Sequence, residues 1–89
     1  MSEARVALVT GASRGIGAAI AQKLAAEGYR VAGTATSQEG AAAITEALGN
    51  GHLGVVMDVR SEDSVAAALG AVEAALGTPV VVVNNAGIT

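Results

Sequence analysis

A chain of 89 residues with hydrophobic content of 52% and a single aromatic residue, Tyr29, reads as one small domain (1–89) with a core of Ala, Val, Leu and Ile. Its formal charge is −3, and Arg5, Arg14, Lys23, Arg30 and Arg60 are too scattered to form a stripe for nucleic acid. Cysteine is absent and His52 stands alone, against zinc and disulfides; no leader or bilayer-length apolar run is present, so the expected protein is soluble and cytoplasmic, without a membrane partner.

The first apolar run, Val6 to Val9, predicts a buried parallel strand. A helix follows from Ile16 to Ala26, with Ile16, Ile20 and Leu24 on one face and Gly28 as its stop. Arg30 to Thr34 predicts a second strand, and Glu39 to Leu48 a second helix with Ile44 and Leu48 on its apolar side. After Gly49 and the Asn50-Gly51 turn, Leu53 to Met57 predicts a third strand. Ser61 is the expected N-cap of a third helix, with Glu62 and Asp63 where the helix dipole favours acid. Val65, Leu69, Val72 and Leu76 give that helix a continuous apolar stripe, closed by Gly77. Pro79 leads into a fourth strand, Val80 to Val83. Strand–helix alternation with right-handed crossovers predicts an α/β fold, a Rossmann-type doubly wound parallel sheet truncated to four strands in the order 3-2-1-4, with three helices.

The turn between the first strand and first helix, Thr10-Gly11-Ala12-Ser13-Arg14-Gly15-Ile16-Gly17, carries the clearest chemistry. Unpaired N–H groups at a helix start, together with the helix dipole, suit a phosphate. Gly11 permits the tight turn, Gly15 close approach of a pyrophosphate to the main chain, and Gly17 close packing of the helix on the sheet. The spacing is Gly-x-x-x-Gly-x-Gly, and alone it fits an ordinary glycine-rich turn as well as a phosphate loop. Ser13 either donates to a phosphate or caps the turn, and Arg14 either forks onto a phosphate or is a solvated loop arginine. At the end of the second strand, Gly33-Thr34-Ala35-Thr36-Ser37 offers no acid before Glu39. An NAD site usually places a carboxylate there for the ribose 2′-hydroxyl, whereas Thr36 with Arg14 would accept a 2′-phosphate. Asp58 reads as a turn former beside Val59, and Asn84-Asn85 also suit a turn. His52 reads as a strand-edge residue and Tyr29 as helix-end packing.

The octet TGASRGIG, followed by Asn84-Asn85-Ala86-Gly87, resembles the short-chain dehydrogenase/reductase family. Ala7-Leu8-Val9-Thr10, Gly33 to Ser37 and the closing NNAGIT make the likeness one to its 3-oxoacyl-[acyl-carrier-protein] reductase branch. It covers essentially the whole chain but only the N-terminal part of such an enzyme. The resemblance implies NADP(H) as cofactor, held by Gly11, Ala12, Ser13, Arg14, Gly15, Ile16, Gly17 and Thr36. It further implies that Asp58 takes the adenine amino group, Val59 lies near the ring, Asn85, Ala86 and Gly87 line the cofactor, and Asn84 steadies the sheet. The implied parent reaction is hydride transfer to a 3-ketoacyl thioester in fatty-acid synthesis. Val80 departs from the family pattern, in which an aspartate is common near that position.

The family's proton donor is a tyrosine four residues before a lysine, assisted by a serine. Here Gly33 lies four residues after Tyr29, and Lys23 is the one lysine, so no such pair exists. The expectation is a dinucleotide-binding portion inactive by itself; the alternative is a non-catalytic half-domain that binds a nucleotide or self-associates. Val80, Val81, Val82 and Val83 would form an open aliphatic edge, through which two copies could join into one continuous sheet.

Overall fold

The computed structural model describes residues 5–13 and 15–85. Strands and helices alternate as β1 (Val6–Val9), α1 (Gly15–Ala26), β2 (Arg30–Ala35), α2 (Gln38–Leu48), β3 (Leu53–Val56), α3 (Glu62–Ala75) and β4 (Pro79–Val83). The sheet order is β3-β2-β1-β4 and every pairing is parallel, as the sequence predicts.

Each face of the sheet has its own core. Val9, Val31 and Ala35 meet Ala12, Ala21 and Ile44 on the side covered by α1 and α2. Val6, Leu8 and Ala32 meet Val72, with Leu69 and Leu76 beside it, on the side covered by α3. β1 is buried at all its positions, the pattern of an interior parallel strand. Without large aromatics, the layers close by direct approach of backbone to side chain. A Cβ built on Gly33 would stand 2.9 Å from Ile44 Cγ2, and one on Gly54 would strike the Ala41 carbonyl oxygen. Helix α2 therefore rests on bare strand backbone. Tyr29 packs against the first core at the end of α1, as expected.

Boundaries differ slightly from the expected ones, for local reasons. Ser37 caps α2 by accepting the Gly40 N–H at 3.1 Å, so the helix begins at Gln38. Ser61 caps α3 through the Ser64 N–H, with Glu62 and Asp63 in the first turn. Helix α3 ends at Ala75 and passes through Leu76 to Gly77, at φ 117°. Strand β4 starts at Pro79, opposite Val6; the next pair is Ala7 with Val81, leaving Val80 as a bulge.

Ile16 departs from the expected buried face and is 73% exposed. Only Ile20 and Leu24 of that stripe pack against the core. The first turn of α1 begins where the strands end, so no sheet lies beneath it. Val80 and Val82 are also exposed, at 64% and 57%. Val82 pairs with Leu8 on the α3 side, but the core there contains no β4 residue.

Candidate functional site

The carboxyl ends of the parallel strands bring together the 10–15 turn, the 36–37 turn, the 57–61 loop and the end of β4. This is where an open parallel sheet presents unpaired backbone groups to a ligand.

Neighbouring strands tie down the first of these turns. The Thr10 N–H donates to the Val83 carbonyl at 3.0 Å, and the Ala12 N–H to that of Thr34 at 2.8 Å. The Gly11 N–H donates to Thr34 Oγ1 at 3.1 Å. Asn85 closes the other side: its backbone N–H donates to Thr10 Oγ1 at 2.8 Å and its Nδ2 to the Gly11 carbonyl at 3.1 Å. Thr10 and Thr34 are buried. Hydroxyl groups in an otherwise apolar core thus satisfy backbone groups that a tight turn leaves unpaired.

Asn85, expected to line the cofactor, also ties the end of β4 to the glycine turn. Asn84 is exposed, whereas Asn85 turns back toward Gly11. The roles of Thr10 and Thr34 went unrecognised in the sequence; two threonines among Val, Ala and Gly of buried strands were the available signal.

The glycines divide their tasks. A Cβ on Gly17 would collide with the Gly11 carbonyl oxygen and lie 2.6 Å from Asn85 Nδ2, so α1 starts in contact with the turn that precedes it. Gly15 is exposed, has φ 66°, and among the described residues nothing would lie within 4 Å of a Cβ built on it. No described residue therefore stands between a ligand and its main chain. The first turn of α1 carries no acid, leaving the positive end of the helix dipole uncompensated. Both features fit a phosphate-bearing ligand.

Exposed Ser13 and the 36–37 turn, with exposed Thr36, both border Gly40: a Cβ built there would lie 3.5 Å from Ser13 Cβ and 3.3 Å from Ser37 Oγ. At the 57–61 loop, Asp58 Oδ1 accepts from the Arg60 backbone N–H at 3.0 Å and from Nε at 3.1 Å, while Oδ2 accepts from Nη2 at 3.3 Å. Those hydrogen bonds hold the Asp58 carboxyl below the usual carboxylate range and raise the Arg60 guanidinium. Val59 between them is 47% exposed. Arg14, Ala86 and Gly87 lie outside the described residues.

Several other candidates fall away from this end. His52 Nδ1 accepts the Val31 N–H at 3.0 Å beside the amino end of β3, as a strand-edge residue would. Lys23 pairs with Glu27 on the surface of α1. Among the described residues no cluster of His, Cys, Asp or Glu is arranged to hold a metal ion, and no helix is long and apolar enough to cross a membrane.

The family model for short chain dehydrogenase matches residues 5–89. The chain is 57% identical to a 3-oxoacyl-[acyl-carrier-protein] reductase, FabG, of Pseudomonas aeruginosa, over 98% of this chain and 36% of that protein. It is 51% and 52% identical to the proteins of the same name from Escherichia coli and Vibrio cholerae, each match again covering 98% of this chain and 36% of the relative. The chain thus spans about a third of the length of the curated relatives it matches. Glycine turn, parallel sheet and extended similarity agree, and the chain belongs to the short-chain dehydrogenase family.

Proposed function

We propose that the chain is the cofactor-binding portion of a cytoplasmic 3-oxoacyl-[acyl-carrier-protein] reductase and holds NADP(H) at the carboxyl ends of its strands. The observation that carries this reading is the Gly11–Gly17 turn: tied from both sides, open at Gly15, and free of acid in the first turn of α1. Backbone N–H groups of this turn receive the pyrophosphate, with Ala12 and Ile16 beside it. Ser13, Arg14 and Thr36 form the 2′-phosphate end, where the β2 terminus presents hydroxyls and no carboxylate. Asp58 accepts from the adenine amino group, Val59 lies against the ring, and Asn85, Ala86 and Gly87 continue the cofactor wall.

When bound, NADPH supplies the hydride for a 3-ketoacyl thioester. The chain's own residues orient that cofactor. Tyr29 precedes β2, at the end of the sheet remote from the glycine turn, and Gly33 occupies the position four residues further on. No residue here is therefore assigned proton donation to the carbonyl.

Calorimetric titration of the 89-residue chain with NADPH, and with NADH for comparison, tests the reading. Saturable binding that prefers NADPH is expected; binding of neither would refute it. The exposure of Val80 and Val82 supports a second reading, in which two copies pair along β4. Light scattering after size exclusion would then give a dimer, which Val82→Lys would dissociate; a monomer of the parent chain would count against it.

A further inference from the structure

We propose that Arg60 is a positioning residue for base recognition: it directs Asp58 Oδ2 toward the exocyclic amino group of adenine. The proposal rests on the dinucleotide reading above.

The backbone of Asp58 is fixed before its side chain is considered. Its N–H donates to Ser64 Oγ at 2.9 Å, and its carbonyl accepts the Ser61 N–H at 3.0 Å. Ser61 Oγ in turn caps α3 through the Ser64 N–H at 3.2 Å. Both main-chain groups of Asp58 are therefore anchored to the start of a helix. Only the side-chain torsions remain, and the Arg60 fork restrains them.

The fork is unequal. Oδ1 accepts two hydrogen bonds, from the Arg60 N–H and Nε, which uses both of its lone pairs. Oδ2 accepts one, from Nη2 at 3.3 Å, and keeps one lone pair available. A planar base lying on exposed Val59 would meet Oδ2 as the free acceptor of that carboxylate. An exposed ion pair between near neighbours contributes little to stability, so the fork's distinctive effect is directional.

Arg60 has a second effect that can be separated from the first. A dinucleotide phosphate is polyanionic and would be repelled by an unpaired carboxylate; the guanidinium offsets that charge. Charge acts alike on any dinucleotide phosphate, whatever its base. Direction acts on the group at the purine C6 position: adenine presents an amino donor there, whereas hypoxanthine presents a carbonyl oxygen, which meets Oδ2 acceptor to acceptor and leaves N1–H displaced from that line.

The test is calorimetric titration of the parent chain, Arg60→Lys, Arg60→Gln and Asp58→Ala with NADPH and with nicotinamide hypoxanthine dinucleotide phosphate. The parent is expected to prefer the adenine form by roughly tenfold, the worth of one hydrogen bond. Asp58→Ala should abolish that preference. Arg60→Lys keeps the charge but not the fork, and should reduce the preference by about threefold or more while holding overall affinity better than Arg60→Gln. A fold defect would lower both affinities together and leave their ratio unchanged. A parent preference retained in full by both Arg60 variants, or no preference in the parent, would overturn the role of Arg60. Failure of the parent to bind either compound would overturn the dinucleotide reading itself.

Discussion

One substitution, glycine to alanine in a helix, should act with opposite signs at two positions of this chain. Gly70 lies within α3, is exposed, and would have nothing within 4 Å of an added Cβ. Alanine there brings only its helix propensity, a gain of about 0.8–1 kcal/mol. Gly17 lies within α1 and would receive the same gain, but its Cβ would strike the Gly11 carbonyl oxygen and come within 2.9 Å of the Gly11 carbonyl carbon. The obstacle is backbone, and Gly11 is held by Thr34 Oγ1 on one side and Asn85 Nδ2 on the other. Relief therefore requires stretching or breaking at least one of those bonds. Overpacking costs about 1–3 kcal/mol and a lost hydrogen bond about 1 more; after the propensity gain, Gly17→Ala should lose about 1–3 kcal/mol. At about 4–8 °C per kcal/mol for a domain of this size, Gly70→Ala should melt several degrees higher, and Gly17→Ala roughly 5–20 °C lower. Thermal unfolding followed by circular dichroism measures both. A Gly17→Ala midpoint equal to or above the parent's would refute the close packing of the turn on α1.

Thr34→Val removes the acceptor of the Gly11 N–H at nearly constant volume and should cost about 1–3 kcal/mol in urea unfolding; Thr34→Ser, which keeps the hydroxyl, should recover most of the loss of hydrogen bonding. His52→Ala leaves the N–H of fully buried Val31 without its partner and should cost a similar amount, of about 1–3 kcal/mol, with faster hydrogen exchange at the Val31 amide; unchanged exchange would refute the bond. Asp58 is stabilised in its charged form by the Arg60 hydrogen bonds. That contribution is present above the ordinary carboxylate value and is lost as pH falls through the lowered folded value. Carboxyl-carbon NMR titration should find Asp58 protonating at lower pH than an ordinary aspartate, and Arg60→Gln should move it upward; no difference between parent and variant would refute the pairing.

Features governed by chain periodicity were readable before any coordinates. Buried strands, the amphipathic stripes of α2 and α3, and the strand order follow from local pattern and from the handedness of crossovers. Ile16 misled because its periodicity is right while its place lies past the end of the sheet; exposure there depends on where β1 stops. Asn84 and Asn85 are chemically identical, and only the direction in which the chain leaves β4 shows which reaches Gly11. Thr10 and Thr34 act across strands far apart in sequence, so their polarity among apolar neighbours marks them as unusual without naming the backbone groups they serve. The glycine turn was readable in composition, whereas its attachment to the sheet was not.

The seating of α2 on strand backbone has a mechanical consequence. Where helices rest on long side chains, rotamer changes absorb a small sliding of one layer past another. At Gly54 there is no rotamer to change, because the Ala41 carbonyl oxygen meets backbone directly, and at Gly33 only the short, branched Ile44 side chain separates helix from strand. A slide of α2 past β3 is therefore opposed by backbone against backbone at Gly54. The 36–37 turn is tied to the head of that helix through the Ser37 cap on the Gly40 N–H, so lifting α2 would carry the turn with it.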